Sequence, residues 1–302
     1  MRFAGVPLGY LICFALRLTG LRAGVAVMYH RVGEPPGSYD TELVPNLGTR
    51  MFEAQVRYLR GAFRLVPASE LPDAVAGRRR GGRFPAAITF DDDDAGHARV
   101  SAPILARWGA PATFFLNGAS LEKPFRFWWQ LLQLAVDRGL EQPRGDIHEH
   151  AQAVQLMSAA DRASVVARLE EALGPPPEDA GMRAALVREL AGAGFEIGFH
   201  TRRHEFLTVL DEEALAAAMS DGREELEALT GRPLDAIAYP HGGAEEREAG
   251  AARTAGFRFG YTTRAMAVTP ASDPLLLGRV ECSFRSLGHF ALRLARALLG
   301  AG

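Results

Sequence analysis

At 302 residues, with 48% hydrophobic and 23% charged side chains, the chain has the composition of a globular protein with a large core, which excludes disorder, collagen-like sequence and a polytopic membrane protein. Dividing by about 150 residues per domain suggests two domains, although α/β barrels of about 200 to 250 residues fold as one. Lys and Arg total 34 against 36 Asp and Glu, and the net charge of -2 excludes a bulk electrostatic footprint for nucleic acid.

Residues 3–16 are largely apolar and are followed by Arg17 and Arg22, a run too short to span a bilayer comfortably. The segment predicts an N-terminal helix within residues 1–23 that packs on the protein or makes peripheral membrane contact through residues 3–16. The matching location is the cytoplasm or the inner membrane, with export the minority reading. Cys13 and Cys282 stand in no paired-thiol motif, so a thiolate zinc site is not signalled.

Short β-rich runs then recur at residues 24–29, 86–90, 112–116, 195–199, 235–239, 257–262 and 276–280. Helical patterns lie between them at 52–61, 100–108, 211–230 and 246–255. The alternation predicts an α/β fold, a mostly parallel sheet covered by helices, and seven such runs favour a barrel over an open sheet. Residues 118–194 depart from the rhythm with Phe127-Trp128-Trp129, helical patterns and Pro175-Pro176-Pro177, and read as a helical insertion in a single unit spanning 24–302. Arg78-Arg79-Arg80 before two glycines reads as a solvated basic turn.

Four clusters sit just past apolar strands. Asp91-Asp92-Asp93-Asp94 follows the 86–90 run. Asp91 and Asp92 share one site only if the chain is already turning there, because neighbours in a strand face opposite ways. Taken alone, such a run reads first as a cap for the next helix. His200 and His204 follow the 195–199 run, and histidines four apart stack on one face of a helical turn. Two imidazoles and a carboxylate suit a hydrolytic metal, zinc above all; the bland alternative is a pair of surface histidines. Tyr239-Pro240-His241-Gly242 forms a stiff turn that can aim a backbone amide at a reacting oxygen, and His30 lies just past the first strand. All four fall at strand carboxyl ends, where active sites lie in barrels and open α/β sheets.

With these residues assembled, the chain resembles the polysaccharide deacetylase family, the metal-dependent carbohydrate esterases built on the NodB-homology domain. The resemblance rests on MYHRV at 28–32, ITFDD at 88–92, PATFF at 111–115, EIGFHTRRH at 196–204, LTGRP at 229–233 and IAYPHG at 237–242. It implies an irregular (β/α)7-type barrel that removes N-acetyl groups from amino sugars of a surface polysaccharide or its lipid-linked precursor. The alternative is a catalytically impaired glycan-binding or assembly protein on the same barrel. Carried over, the resemblance makes Asp92, His200 and His204 ligands of a divalent metal, Zn2+ first, and Asp91 the general base. His30 becomes the general acid, and the Tyr239 backbone N–H becomes a donor to the tetrahedral intermediate. Pro240, His241, Trp128 and Arg279 are the expected substrate contacts, with Arg279 also a substitute for the arginine that orients the base in relatives. Asp93, where the family has glycine, and Ala238, where it has arginine nearby, are departures. His148 and His150 read as surface residues.

Overall fold

The computed structural model describes residues 5–143 and 145–301; Phe3 and Ala4 of the predicted apolar segment lie outside the described residues. Eight strands pair in parallel among them: β1 (Val25–Tyr29), β2 (Arg64–Leu65), β3 (Pro85–Asp91), β4 (Thr113–Leu116), β5 (Glu196–Phe199), β6 (Ala236–Ala238), β7 (Phe259–Tyr261) and β8 (Arg279–Glu281). The order is β7-β6-β5-β4-β3-β1-β8, with the two-residue β2 added beside β3. A parallel bridge between Tyr261 and Leu277 brings the two ends of that order together. The result is a nearly closed barrel of seven strands.

Alternation along the strands sorts side chains into two cores, as the strand period of two demands. Val25, Val27, Tyr29, Ile88 and Phe90 face outward under the helices. Small inward residues, Ala26, Ala87, Ala236 and Ala238, leave room inside the barrel for the rings of Phe115 and Tyr261. These rings lie 5.6 Å apart. Arg279 enters the same interior from β8, fully buried, with its guanidinium 5.7 Å from the Phe115 ring.

Within residues 118–194, the helices Trp128–Asp137, Ile147–Gln155 and Ala159–Leu173 share a small core of their own around Leu132, Val154 and Leu169. The last helix of the interval, Ala184–Gly192, instead packs Val187 and Leu190 on the main core and is the crossover into β5. The predicted helix over 211–230 is divided into Glu212–Ala218 and Arg223–Thr230, because Gly222 takes a left-handed conformation between them.

The arginine triplet is a solvated turn only in part, since Arg79 and Arg80 are exposed and Arg78 is not. Arg78 is only 7% exposed and donates to the carbonyls of Leu21, Arg17 and Gly82, while Arg80 donates to Leu18. The carbonyls of Arg17 and Leu18 end the helix Gly5–Arg17, where orphan acceptors and the negative end of the dipole favour cations.

Candidate active site

Each of the four consecutive aspartates has a different job, because the chain leaves β3 through a left-handed residue. Asp92 has φ 73°, a conformation in which a side chain costs energy and which turns the next carboxylate onto the same rim as Asp91. His97 holds the turn. Its Nε2 lies 3.0 Å from the carbonyls of both Asp91 and Asp92, and two acceptors require that nitrogen to carry the proton.

Asp91 is gripped by Arg279, with Nη1 to Oδ1 at 2.6 Å and Nη2 to Oδ2 at 2.7 Å. Burial alone would raise its carboxyl, but the Arg279 guanidinium, helped by His200 and His30, outweighs it and holds the group at about 2. Asp93 points away from the rim into the loop after β4. It accepts from the backbone amides of Asn117, Gly118, Ala119 and Ser120 at 2.9 to 3.3 Å and from the Ser120 hydroxyl at 3.1 Å. Asp94 accepts from the Gly96 amide at 2.7 Å and pairs with Arg31 at 3.2 Å. Replacing Asp93 by Gly, the residue usual at this position in relatives, leaves that loop's buried donors without an acceptor. The expected loss is about 3 kcal/mol, read by thermal denaturation, with metal content unchanged because Asp93 is not a ligand.

The two histidines converge by a turn and not on a helix face as the spacing predicted. Thr201 and His204 both have positive φ, 42° and 52°, and the His204 amide closes the turn on the Thr201 carbonyl at 3.2 Å. Asn117 fixes it from below, donating to the carbonyls of His200 and Thr201 at 2.7 Å each. His200 Nδ1 donates to the Ala238 carbonyl at 2.7 Å, which leaves Nε2 as a free lone pair facing the site. Burial depresses His200 to about 4 and, with His200 and His241 close by, His204 well below its usual value, so both imidazoles are neutral at pH 7, the form in which a metal is bound.

Asp92 Oδ1 stands 3.6 Å from His200 Nε2 and 3.5 Å from His204 Nε2. It is buried with no hydrogen-bond partner among the described residues. Burial, then Asp91, Asp93 and Asp94, push its carboxyl well above the usual range. An orphaned carboxylate oxygen between two neutral imidazoles is a cost that a divalent cation removes. The spacing fits as well, since two ligands at about 2.0 to 2.1 Å in tetrahedral array sit about 3.4 Å apart. All three donor atoms lie within 4.8 Å of one another.

Around this set lies a pocket of about 280 Å³. His30, Asp91 and His241 line it, as do Trp128, Gln152 and His148 from the insertion. His148 therefore belongs to the rim, where its Nε2 meets the Tyr39 carbonyl at 2.6 Å. His148 is exposed, as expected, whereas His150 is not a surface residue: it is 8% exposed and faces Glu141 at 3.6 Å. Trp129, which sequence reasoning passed over, packs its ring 4.5 Å from His204 and stacks on Phe127. The Phe127-Trp128-Trp129 triplet was the signal for both roles: the two tryptophans wall the pocket, and Trp129 also braces His204.

Three expected roles need correction. Arg279 does not contact substrate: it is fully buried and its donors go to Asp91, Thr89 and the Thr262 carbonyl. The Tyr239 backbone N–H cannot serve a reacting oxygen, because it donates to the Tyr261 carbonyl at 3.0 Å, and its hydroxyl donates to Leu275. The free amide is that of His241, the first N–H of the turn Pro240–Gly242, which has no acceptor among the described residues. His241 takes φ 58° and stacks on Phe206 at 3.6 Å, while Pro240 is buried beneath it and does not line the pocket.

A seven-stranded parallel barrel with a carboxylate, two imidazoles and a buried ionised acid on one rim defines the class, a barrel protein equipped for hydrolysis. The polysaccharide deacetylase family model matches residues 78–260, and the chain belongs to that family. Strand β1 with His30 and strand β8 with Arg279 lie outside the matched segment. Among solved structures, the fold is similar to the Streptococcus pyogenes deacetylase PplD in complex with acetate, with a TM-score of 0.64 and 17% identity over 90% of this chain and 98% of that one. It is also similar to IcaB from Ammonifex degensii, with a TM-score of 0.59 and 21% identity over 89% and 97% of the two chains. The BpsB deacetylase domain from Bordetella bronchiseptica gives 0.57 and 15% over 86% and 95%. At such identities the likeness is one of fold. No curated protein sequence matches the chain.

Proposed function

We propose that the protein removes N-acetyl groups from amino sugars of a surface polysaccharide or its lipid-linked precursor, using a divalent cation, Zn2+ first, held by Asp92, His200 and His204. The observation that carries this reading is the buried, unpartnered Asp92 Oδ1 between two neutral imidazoles, beside an Asp91 that is kept ionised. A cation there would polarise the acetyl carbonyl and acidify the attacking water. Asp91, immobilised by Arg279, accepts the proton of that water as it attacks. A carboxyl held at about 2 cannot keep a proton at neutral pH, so the proton must pass on.

His30 lines the same pocket and, lowered by burial against the pull of Asp91, is neutral at pH 7. It is the group placed to relay the proton to the leaving amine. The His241 amide faces the developing oxyanion. A volume of about 280 Å³ lies just below the usual range for small-molecule sites, about 300 to 1,000 Å³. That suits one acetamido sugar, with the rest of the glycan outside. The acetate in the Streptococcus pyogenes neighbour is the product this chemistry would release, which supports the reading. So do the departures at Asp93 and Ala238 that motivated a non-catalytic glycan binder: Asp93 braces a loop, and Ala238 supplies the carbonyl that orients His200.

The test is acetate release from N-acetylglucosamine oligomers by zinc-loaded protein. Steady release is expected, falling about 10² to 10⁴-fold in His30→Ala. No acetate from any N-acetylhexosamine substrate would overturn the reading, and full activity of His30→Ala would remove that residue from it.

A further inference from the structure

The helix Gly5–Arg17 is docked on the barrel by one face only. A Cβ on Gly9 would lie 2.7 Å from the Ala291 Cβ, and one on Gly5 would lie 2.7 Å from the Gly288 carbonyl, so the first helix lies directly against the helix Leu287–Leu299. Its other face is uncovered. Leu8, Leu11 and Phe14 are 47%, 65% and 57% exposed, and Leu18 just beyond is 52% exposed. Spacings of three and four residues put them in one stripe. No helix among the described residues is long and apolar enough to cross a membrane.

The charged side chains bonded to this helix or to the turn after it are arginines. There is no Asp or Glu in residues 5–33, 54–69, 74–90 or 282–302. These stretches supply the helix, its neighbours and Arg17, Arg22, Arg60, Arg79, Arg80 and Arg83. Two are tied to the end of the helix directly, Arg80 donating to Leu18 and Arg17 to Gly81, while Arg83 donates to Arg60 in the neighbouring helix. A chain of net charge -2 has thus set an apolar ridge beside a basic collar of arginines.

We infer that this face is the docking surface for an anionic lipid bilayer. The apolar side chains enter the headgroup region while the arginines meet lipid phosphates. A second copy of the chain would oppose one basic collar to another, which the charge disfavours. The inference is independent of the proposed activity, since it rests on the flank of the barrel and not on the pocket.

Co-sedimentation of the full chain with vesicles tests it. Binding to phosphatidylglycerol-containing vesicles should exceed binding to pure phosphatidylcholine by at least about ten-fold and weaken steeply between about 0.1 and 0.5 M salt. Leu11→Glu with Phe14→Glu, both exposed and so compatible with folding, should reduce it at least about ten-fold, as should Arg22→Glu with Arg79→Glu. Acetate release from a soluble oligomer should be unchanged in both pairs. Equal binding of wild type and both variants to anionic vesicles, or no binding at all, overturns the inference. So does a dimer in solution that Leu11→Glu dissociates while vesicle binding is absent.

Discussion

Asp92→Asn is expected to abolish divalent-metal binding and to lower acetate release on the order of 1,000-fold, about 4 kcal/mol of transition-state stabilisation. The same substitution should make the metal-free protein more stable at neutral pH. In the absence of a cation, burial and three neighbouring carboxylates raise the Asp92 carboxyl well above its unfolded value. A raised acid contributes stability below its unfolded pKa and loses it as pH rises through the folded one, so at pH 7 the ionised form is a net cost. The amide removes that cost, and adding zinc reverses the order, because only the wild type gains binding energy on folding. Metal analysis, acetate assay and thermal melts with and without zinc read the three parts separately. An Asp92→Asn variant that kept both zinc and activity would remove Asp92 from the ligand set.

Arg279→Met is the second large effect. Breaking a fully buried ion pair by removing one partner costs about 3 to 5 kcal/mol, because the remaining charge stays buried and unpaired. Asp91 then loses the partner that holds it at about 2, and burial is left free to raise it. The stability that Asp91 contributes above its unfolded pKa, and yields only as pH falls toward about 2, disappears with the partner. The acidic limb of kcat/KM should accordingly move to higher pH, with kcat at its plateau falling about 10 to 100-fold as the carboxylate loses its orientation. Arg279→Lys should rescue little, since an ammonium cannot make two parallel bonds to one carboxylate. A variant with a normal melting temperature and an unshifted pH profile would reduce Arg279 to a packing residue.

Much of the site was legible in the sequence. Asp91, Asp92, His200, His204, His30 and His241 all line the pocket, and each lies at or just past the end of a strand that hydrophobic patterning located. Strand patterning is local, and in a parallel barrel every strand ends on the same rim, so local signals sufficed to gather these residues. The helical reading of His200 to His204 failed because sequence spacing carries no handedness. Positive φ at Asp92, Thr201, His204 and His241 aims the site side chains, and none of the four is a glycine, the residue that usually announces a left-handed turn.

By itself the sequence determined the alternating architecture, the donor types and their common rim, because these depend on period and residue chemistry. Only the tertiary structure decided how the donors are used. Arg279 meets Asp91 across 188 residues, and Asp93 meets amides 24 to 27 residues away. The Tyr239 amide disappears into the ladder with β7, while the His241 amide has no acceptor among the described residues. The Arg78 turn becomes a clamp on the first helix in the same way. Each of these roles depends on which buried polar group finds which partner, and burial requires every such group to be matched wherever the fold places one.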